Sequence, residues 1–547
     1  MSLIGRVKDR ALLELDLMLW RRSVRGLRHS GRPVAGKTVV FCQLMASIAT
    51  VKVEALFAYR LRELGYRIAV ILPRTDPVLE RIFLATGPTD FFFAEGSTNG
   101  LDTSQADRLA AQLLEGCRTP EDIIDLEVEG FRIGRNALSK TVREMRIGKM
   151  DPSNEEHSTA LRKAIAASLL AKSSAEILIE QIKPSLGVFN ERGYTPAGEM
   201  FDACLLAGTD VVQWVGAPQS DRLLFKRYTL STRDRHPFAL GDDTWEELQR
   251  DGLGETRDGA IMDKLVSHYE SGAWYNRQQL QEGKRIFDRE ATRSKLGVEG
   301  GRKVAVIFAH ILYDATFFYG TSLYPDYETW LVETVRGAIA NTAMDWIIKV
   351  HPVNVWRSRM DGKPMEQLEA IALREAFGEL PPHVRLLPAD TDVNTFSLFG
   401  TIDYGLTVRG TIGMELPCFG IPVVTAGSGR YAGNGFTLDP PTVEAYQDVL
   451  RSLHEQVPLE PREIERARLY AWGAFFRRPF LMESFQLNFN ARTFGLPHLS
   501  VDVEVGSGVG KDQSDLAFIA NWMDDLKSSD LLARDASMES SKQEVYS

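Results

Sequence analysis

The residues best suited to chemistry lie between positions 345 and 435. The apolar run Trp346-Ile347-Ile348-Lys349-Val350 ends in His351-Pro352. Proline stops a strand ladder, so His351 is expected at the carboxyl end of a strand. There one ring nitrogen can donate to a phosphate oxygen while the backbone holds the other. A second His-Pro pair, His236-Pro237, lies in a charged loop with no strand before it and carries no such expectation. Further on, Tyr404-Gly405-Leu406-Thr407 reads as another strand, followed by Val408-Arg409-Gly410-Thr411-Ile412-Gly413-Met414-Glu415. Gly410 and Gly413 would let a ligand approach the backbone. Thr411 would cap a helix or bind phosphate beside its free N–H groups. Glu415, one turn into that helix and on the Thr411 face, could accept both hydroxyls of a ribose. The plainer alternatives are that Thr411 only caps, that Glu415 pairs with Arg409, and that His351 satisfies a turn. A third patch, Gly427-Ser428-Gly429-Arg430-Tyr431-Ala432-Gly433-Asn434-Gly435, is too rich in glycine for a helix. It reads as a mobile loop over a ligand or as a plain surface loop.

The elements that must position these groups follow an α/β rhythm. Lys37–Cys42 reads as a strand, 50–64 as a helix stopped by Gly65, and Tyr66–Leu72 as the next strand, stopped by Pro73. The loop after the first strand, Gln43-Leu44-Met45-Ala46-Ser47, has no glycine fingerprint, so no dinucleotide site is expected there. A helix over Leu161–Lys183 leads to a short strand at Leu186–Asn190, the polar loop Glu191-Arg192-Gly193-Tyr194, a helix from about Ala197 to Ala207 and a strand at Asp210–Trp214. Residues 216–300 read as a charged connection with a long helix near 257–296. Gly300-Gly301 breaks it, and Lys303–Ala309 begins a second doubly wound domain. Helices over 441–456 and 461–475 close that domain. The tail from Ser507 is polar apart from Leu516–Met523 and is expected to be partly disordered.

The resulting division is as follows. Residues 1–36 form a basic amphipathic N-terminal segment and 37–220 an N-terminal Rossmann-like domain. Residues 221–300 form a helical connecting region and 301–475 a C-terminal Rossmann-like domain. A segment over 476–506 crosses back, and 507–547 form the polar tail.

Composition sets limits. The 547 residues are 44% hydrophobic and 25% charged, enough for two to three globular domains. A net charge of −10 argues against nucleic-acid binding through a broad basic surface. Cys42, Cys117, Cys204 and Cys418 are scattered with no CxxC pair, which suits a reducing compartment and no zinc site. No run of about 18 apolar residues occurs, and the N-terminus is too charged for a secretory signal, so a cytoplasmic protein is expected. Residues 1–37 carry nine Lys/Arg against three Asp/Glu, interleaved with Leu12, Leu13, Leu15, Leu17, Met18, Leu19 and Trp20. Such a helix could rest on the anionic cytoplasmic face of an inner membrane or pack on its own protein.

A strand ending in His351-Pro352, the helix Gly410-Thr411-Ile412-Gly413-Met414-Glu415, then Gly420-Ile421-Pro422-Val423-Val424 and a Tyr431-Ala432-Gly433 loop resemble the capsule polysaccharide biosynthesis proteins. These are bacterial surface-glycan glycosyltransferases of GT-B type, some of which transfer Kdo from CMP-Kdo. His310-Ile311-Leu312-Tyr313-Asp314-Ala315 is similar to that family's Asp-Ala loop, and Glu191-Arg192-Gly193-Tyr194 to a loop of its first domain. The resemblance covers roughly 300–440. It implies an α/β, GT-B-like fold of two facing Rossmann-like domains with parallel sheets, 37–220 on the acceptor side and 301–475 as the nucleotide-sugar domain. It also implies a glycosyltransferase using a nucleotide-activated sugar in capsule or other surface polysaccharide biosynthesis.

By this resemblance His351 would contact the donor phosphate, with Gly410, Thr411 and Gly413 beside it. Glu415 would bind the ribose, and Tyr431 would belong to the donor loop. Glu191 and Asp314 are the carboxylates best placed for acid/base work, and Arg192 or Arg409 could hold an anionic sugar carboxylate. The chain departs from the Kdo-transferring pattern at Ser428-Gly429-Arg430-Tyr431, which leaves the donor open. No Asp-x-Asp pair has a metal context, so neither a metal nor a cofactor beyond the nucleotide-sugar substrate is expected. Partners would be the donor, a glycan or lipid-linked acceptor, and the membrane or other polysaccharide-assembly proteins, with no nucleic acid. The rival readings are a sugar-nucleotide epimerase or polyol-phosphate transferase on the same scaffold, or a catalytically silent glycan or export scaffold.

Overall fold

The computed structural model describes residues 3–27, 32–45, 47–96, 100–272, 274, 280, 283–298, 300–355, 366–488, 501–506, 508–511, 514–525 and 527–533, with 3–9 described by backbone alone. The chain divides into two compact units. The first comprises Met1–Lys140, Thr159–Arg233 and Arg478–Ser547, and the second Thr141–Ser158 and Asp234–Arg477. Each is a Rossmann-like α/β unit with a largely parallel sheet, the pairing found in GT-B-like folds.

In the first unit, β1 (Thr38–Cys42), β2 (Arg67–Leu72), β3 (Asp90–Phe93), β4 (Leu186–Phe189), β5 (Asp210–Gly216), β6 (Arg222–Tyr228) and β12 (Phe480–Leu481) form a sheet of order β12-β6-β5-β4-β1-β2-β3. β5, β4, β1, β2 and β3 run parallel, while β6 and β12 add antiparallel edges. β1 reads Thr-Val-Val-Phe-Cys and is buried along its whole length, as a central parallel strand covered on both faces must be. The helix Ile48–Glu63 starts at Ser47, whose side chain accepts the Thr50 N–H. Just after it, Gly65 turns at φ +87°, with Val34 where a Cβ would stand. Chain order turns back between β1 and β4, so this unit reverses winding there.

In the second unit, β7 (Val304–Phe308), β8 (Asp345–Lys349), β9 (Val384–Leu387), β10 (Tyr404–Thr407) and β11 (Val423–Thr425) form an all-parallel sheet of order β11-β10-β7-β8-β9. The winding reverses between β7 and β10. Open α/β sheets bind ligands outside the carboxyl ends of the strands at such a reversal.

Two stretches differ from the sequence expectation. The region over 221–300 is not a helical connection. Its first residues form β6, paired with β5 across Gln213–Lys226 and Val211–Tyr228. The rest contributes three helices, Asp242–Asp251, Gly254–Ser271 and Arg289–Leu296, to the second unit. Gly272, left-handed at φ +65°, ends the middle one and breaks the long helix expected over 257–296. In the tail, Ser514 caps a helix at Asp515–Asp524 whose Leu516, Ile519, Ala520 and Met523 are buried in the same core as the helix Ile48–Glu63. The apolar patch Leu516–Met523 is the i, i+3, i+4, i+7 stripe of this helix rather than part of a disordered tail. Residues 534–547 of the expected disordered tail lie outside the described residues. Among the described residues no helix is long and apolar enough to cross a membrane.

Because Ile519 is fully buried, Ile519→Ala should lower the unfolding free energy by about 2–5 kcal/mol. Denaturant unfolding of the whole chain would detect this, and a surface tail would show no change.

Candidate functional site

The residues singled out from sequence divide between the units. In the first unit, Glu191 and Arg192 follow β4. The Glu191 carboxylate accepts the Arg192 N–H at 2.9 Å. Arg192 points inward and is 1% exposed. Its guanidinium lies 4.2 Å from the Tyr228 ring centroid and 4.8 Å from that of Phe201, and Nε donates to Gln213 Oε1 at 2.9 Å. Nη1 donates to the Arg233 carbonyl. The arginine expected to hold a sugar carboxylate is therefore a packing and hydrogen-bonding residue of this unit's interior.

Beside the reversal point of the same sheet sits a carboxyl that sequence reading did not single out. Glu54 is fully buried. Trp214 Nε1 donates to its Oε1 at 2.8 Å, and the Gln43 amide meets its Oε2. Burial pushes its pKa up to about 8. The Gln43 Oε1 has no partner. Rotating that amide would turn Oε1 toward Glu54, where a protonated carboxyl donates to it.

The second unit gathers the remaining candidates. Pairing of Phe308 with Lys349, Ile307 with Leu406 and Thr407 with Thr425 brings four strand ends level at one edge. His351 is half-buried there. Its Nδ1 accepts the Val353 N–H at 3.2 Å, so the neutral ring carries its proton on Nε2. Asp314 is half-buried in the loop after β7, and its N–H donates to the Ile311 carbonyl at 3.2 Å. The next residue, Ala315, takes the left-handed φ of +55°.

Across the β7–β10 reversal, His310 organises the edge. Its Nε2 accepts the Val408 N–H at 3.1 Å and lies 3.0 Å from Thr407 Oγ1 and 3.4 Å from the Arg409 N. Its ring stacks on Tyr327 at 4.4 Å. Burial first, then the charges of Arg409, His351 and Arg430, holds its pKa well below 6.5. The neutral imidazole is what allows Nε2 to accept. Thr407 Oγ1 in turn accepts the Gly410 N–H at 3.1 Å. A Cβ on Gly410 would come within 2.9 Å of that hydroxyl.

Arg409 is 4% exposed. Its Nη2 donates to Ser322 Oγ and, at 3.4 Å, to the Thr321 carbonyl, whereas Nε and Nη1 have no partner. Arg430 Nη1 donates to the Arg409 carbonyl at 3.3 Å, and its own Nε is also buried without a partner. Leaving such donors unmet costs about 1–3 kcal/mol each, and more when charged. An anion would satisfy them.

Other candidates are already engaged. Glu415 is 3% exposed. The Tyr269 hydroxyl donates to its Oε2, Thr411 bonds it as well, and burial raises its pKa. A ribose could reach this carboxylate only by displacing Tyr269. Thr411 stands at φ −56°, ψ −29° and makes no side-chain cap to the seven-residue helix Ile412–Cys418. Tyr431 is 1% exposed and donates its hydroxyl to the Gly410 carbonyl at 2.8 Å. Its ring fills the space a side chain at Gly413 would need, so that glycine makes room for Tyr431.

The loop over 427–435, expected to be mobile or plain surface, is fastened. The Ser428 N–H donates to the Thr321 carbonyl at 2.8 Å, the Thr321 N–H to Ser428 Oγ at 3.0 Å, and the Gly433 N–H to Asp439 Oδ2 at 2.7 Å. Gly320 and Gly429 meet back to back, each blocking a Cβ on the other. Lys349, 5% exposed at the end of β8, completes the edge. Burial and then Lys284 push its amine down to about 7.

Sequence reading missed His310, Arg430 and Lys349 as functional candidates. Each stands at or just past a strand's carboxyl end, and that position was the available signal. Among the described residues no cluster of three or more His, Cys, Asp or Glu side chains could hold a metal ion.

No protein-family model matches the chain, and no curated protein does. Several solved structures are similar to it at low identity. UDP-GlcNAc 2-epimerase from Neisseria meningitidis, bound to UDP-GlcNAc, is 11% identical over 79% of this chain and 95% of that one, with a TM-score of 0.28. The Thermosulfurimonas dismutans KpsC beta Kdo 2,4 transferase is 14% identical over 55% and 82%, with a TM-score of 0.31. Anabaena HepE in complex with UDP-glucose is 12% identical over 80% and 95%, with a TM-score of 0.26. The fold assignment rests on the sheet order and strand directions of the two units.

Two tests follow from this geometry. His310→Ala strips the Val408 N–H of its acceptor and should lower the unfolding free energy by about 1–3 kcal/mol, read by denaturant unfolding. A wild-type midpoint would remove His310 from this role. For Glu54, the native state holds a proton that the unfolded chain releases above its ordinary value of 4.5. Stability should therefore fall as pH rises from about 4.5 to about 8, by up to 1.4 kcal/mol per pH unit. Glu54→Gln should match wild type near pH 5 and exceed its melting temperature at pH 8. Parallel melting curves would contradict a protonated Glu54.

Proposed function

We propose that this chain is an enzyme acting on a nucleotide-activated sugar, with the nucleotide's phosphate held at the carboxyl edge of the second unit's sheet. One observation carries the reading. Arg409 stands at the β7–β10 reversal, 4% exposed, with Nε and Nη1 unpartnered. A phosphate is an anion that a guanidinium suits well, and it would reach these nitrogens, which are closed to solvent here, by moving the side chains that cover them. Arg430 would share the charge, and His351, with a proton on Nε2, would donate to the same group. Balancing negative charge on a departing nucleotide is the main electrostatic task in breaking a sugar–phosphate bond, and donors fixed beforehand perform it with little reorganisation. Asp314, in the loop after β7 of the same unit, is the carboxylate left for proton transfer.

Two reactions fit this site. One is transfer of the sugar to a glycan or lipid-linked acceptor in assembly of a bacterial surface polysaccharide, the setting implied by the sequence resemblance. The other is epimerisation of the sugar with no acceptor, the reaction named for the Neisseria meningitidis structure.

Calorimetric titration with UDP, CMP and GDP, free and as sugar conjugates, tests the site. One nucleotide should bind wild type, Arg409→Ala should weaken it about 10- to 100-fold, and Arg409→Lys should restore only part of the loss. Absence of binding to wild type, or unchanged affinity in Arg409→Ala, would overturn the assignment. Incubating the bound sugar-nucleotide alone then separates the reactions. A change in sugar stereochemistry without acceptor marks an epimerase. Turnover only with acceptor marks a transferase, and binding without turnover a silent scaffold.

A further inference from the structure

The helix Leu3–Ser23 has two finished faces, and only one of them packs on the protein. Leu17, Trp20 and Val24 are buried in the core of the first unit, and Leu12 and Leu13 pack against it. Trp20 Nε1 donates to the Ile82 carbonyl at 3.1 Å. Asp16 is buried against Lys52 at 2.7 Å. These contacts fix the helix's rotation about its axis. At 100° per residue, Ala11, Leu15, Met18 and Arg22 then lie opposite the buried stripe, with Leu19 at its flank and Arg25 just past the helix end.

The ridge is apolar at its centre. Leu15 is 37% exposed, Met18 59% and Leu19 49%. Its continuation is basic, with Arg21, Arg22 and Arg25 all exposed and Arg10 exposed at the other end. Glu14 and Asp16 are engaged: Glu14 is held by both Nη atoms of Arg81 at 2.7 Å, and Asp16 by Lys52. The chain as a whole carries −10, so this local excess of positive charge runs against its balance. The neighbouring helix Pro77–Leu84 adds Leu84, 50% exposed.

We propose that this face docks the protein on an anionic lipid surface. Leucine and methionine would enter the boundary between headgroups and acyl chains, and the arginines would pair with lipid phosphates. Apolar residues on one face beside Arg is the pattern of a helix lying in a membrane interface. Each basic side chain near such a surface adds attraction that salt weakens. A second protein with an apolar patch would match the leucines but not the run of arginines. The proposal does not depend on the nucleotide-sugar reading, since the helix lies in the first unit and the Arg409 site in the second.

Vesicle flotation of the full chain tests it. Wild type should float with mixed phosphatidylcholine–phosphatidylglycerol vesicles, float poorly with phosphatidylcholine alone, and lose binding as salt rises. Arg22→Glu with Arg25→Glu should lower the partition coefficient about tenfold or more. Leu15→Ser, Met18→Ser and Leu19→Ser together should lower it comparably, and wild-type melting temperatures would show that both variants fold. Reversing Lys163 and Lys183, exposed elsewhere on this unit, should leave flotation unchanged. The proposal fails if wild type does not float with the mixed vesicles, if the ridge variants float as wild type does, or if the Lys163/Lys183 reversal is equally damaging. It also fails if the ridge instead forms a dimer that the serine variant abolishes.

Discussion

The Val408 N–H reaches His310 Nε2 at 3.1 Å, and that bond exists only while the imidazole is neutral with its proton on the other nitrogen. Much of the C-terminal sheet edge depends on this condition. With Nε2 as acceptor, the chain leaving β10 is held back toward β7, Thr407 can receive the Gly410 N–H, and Arg409 turns its guanidinium toward Ser322. The charges of Arg409, His351 and Arg430 reinforce neutrality because each opposes a proton on the ring. The edge is thus self-consistent: the groups that would attract an anion also keep the histidine in the state that positions them.

Buried ion pairs hold the first unit together, although Arg60 Nε and Asp16 Oδ2 there are also buried without a hydrogen-bond partner. Arg132 meets Asp202 at 2.7 Å, Lys226 meets Asp530 at 2.8 Å, and Arg478 reaches the same Asp530 at 3.1 Å. Such pairs roughly offset their own desolvation, but removing one partner strands the other. They also tie the late segments around Arg478 and Asp530 to β6, which is how residues far apart in sequence join one core. The second unit leaves Arg409 and Arg430 with unmet donors at the winding reversal. Natural interiors tolerate few such groups, and functional sites are where they persist.

The strands β1, β2, β4, β5, β7, β8, β10 and β11 were legible from sequence because they depend on local signals, whereas β3 and β9 were not read. Apolar β-branched runs mark β1, β7 and β8, and Pro352 and Gly65 mark where the chain turns. At Leu516–Met523 the apolar patch was visible but not that it is a helix, because its four-residue stripe is buried in a core built from elements far off in the chain, the helix Ile48–Glu63 among them. β6 was hidden because Arg222-Leu223-Leu224-Phe225-Lys226-Arg227-Tyr228 carries charges at positions that read as loop. Their partners, Asp210 for Arg227 and Asp530 for Lys226, lie far off in the chain.

For the site, the sequence by itself determined where the chemistry-bearing residues would stand: at strand ends, beside glycines, in a rhythm that winds two parallel sheets. Strand direction and loop position follow from short-range sterics and periodicity, which a linear pattern records. Only the tertiary structure decided which of those groups have all their partners and which keep donors unmet. Arg192 is taken by Gln213, Tyr228 and Phe201, Glu415 by Tyr269, and Gly413 by Tyr431, whereas Arg409 keeps two donors unmet. The reason is that a hydrogen-bonding group is satisfied by whichever partner packing brings within about 3 Å. Here those partners lie from about ten to nearly one hundred and fifty positions away in the chain, at distances no local pattern encodes.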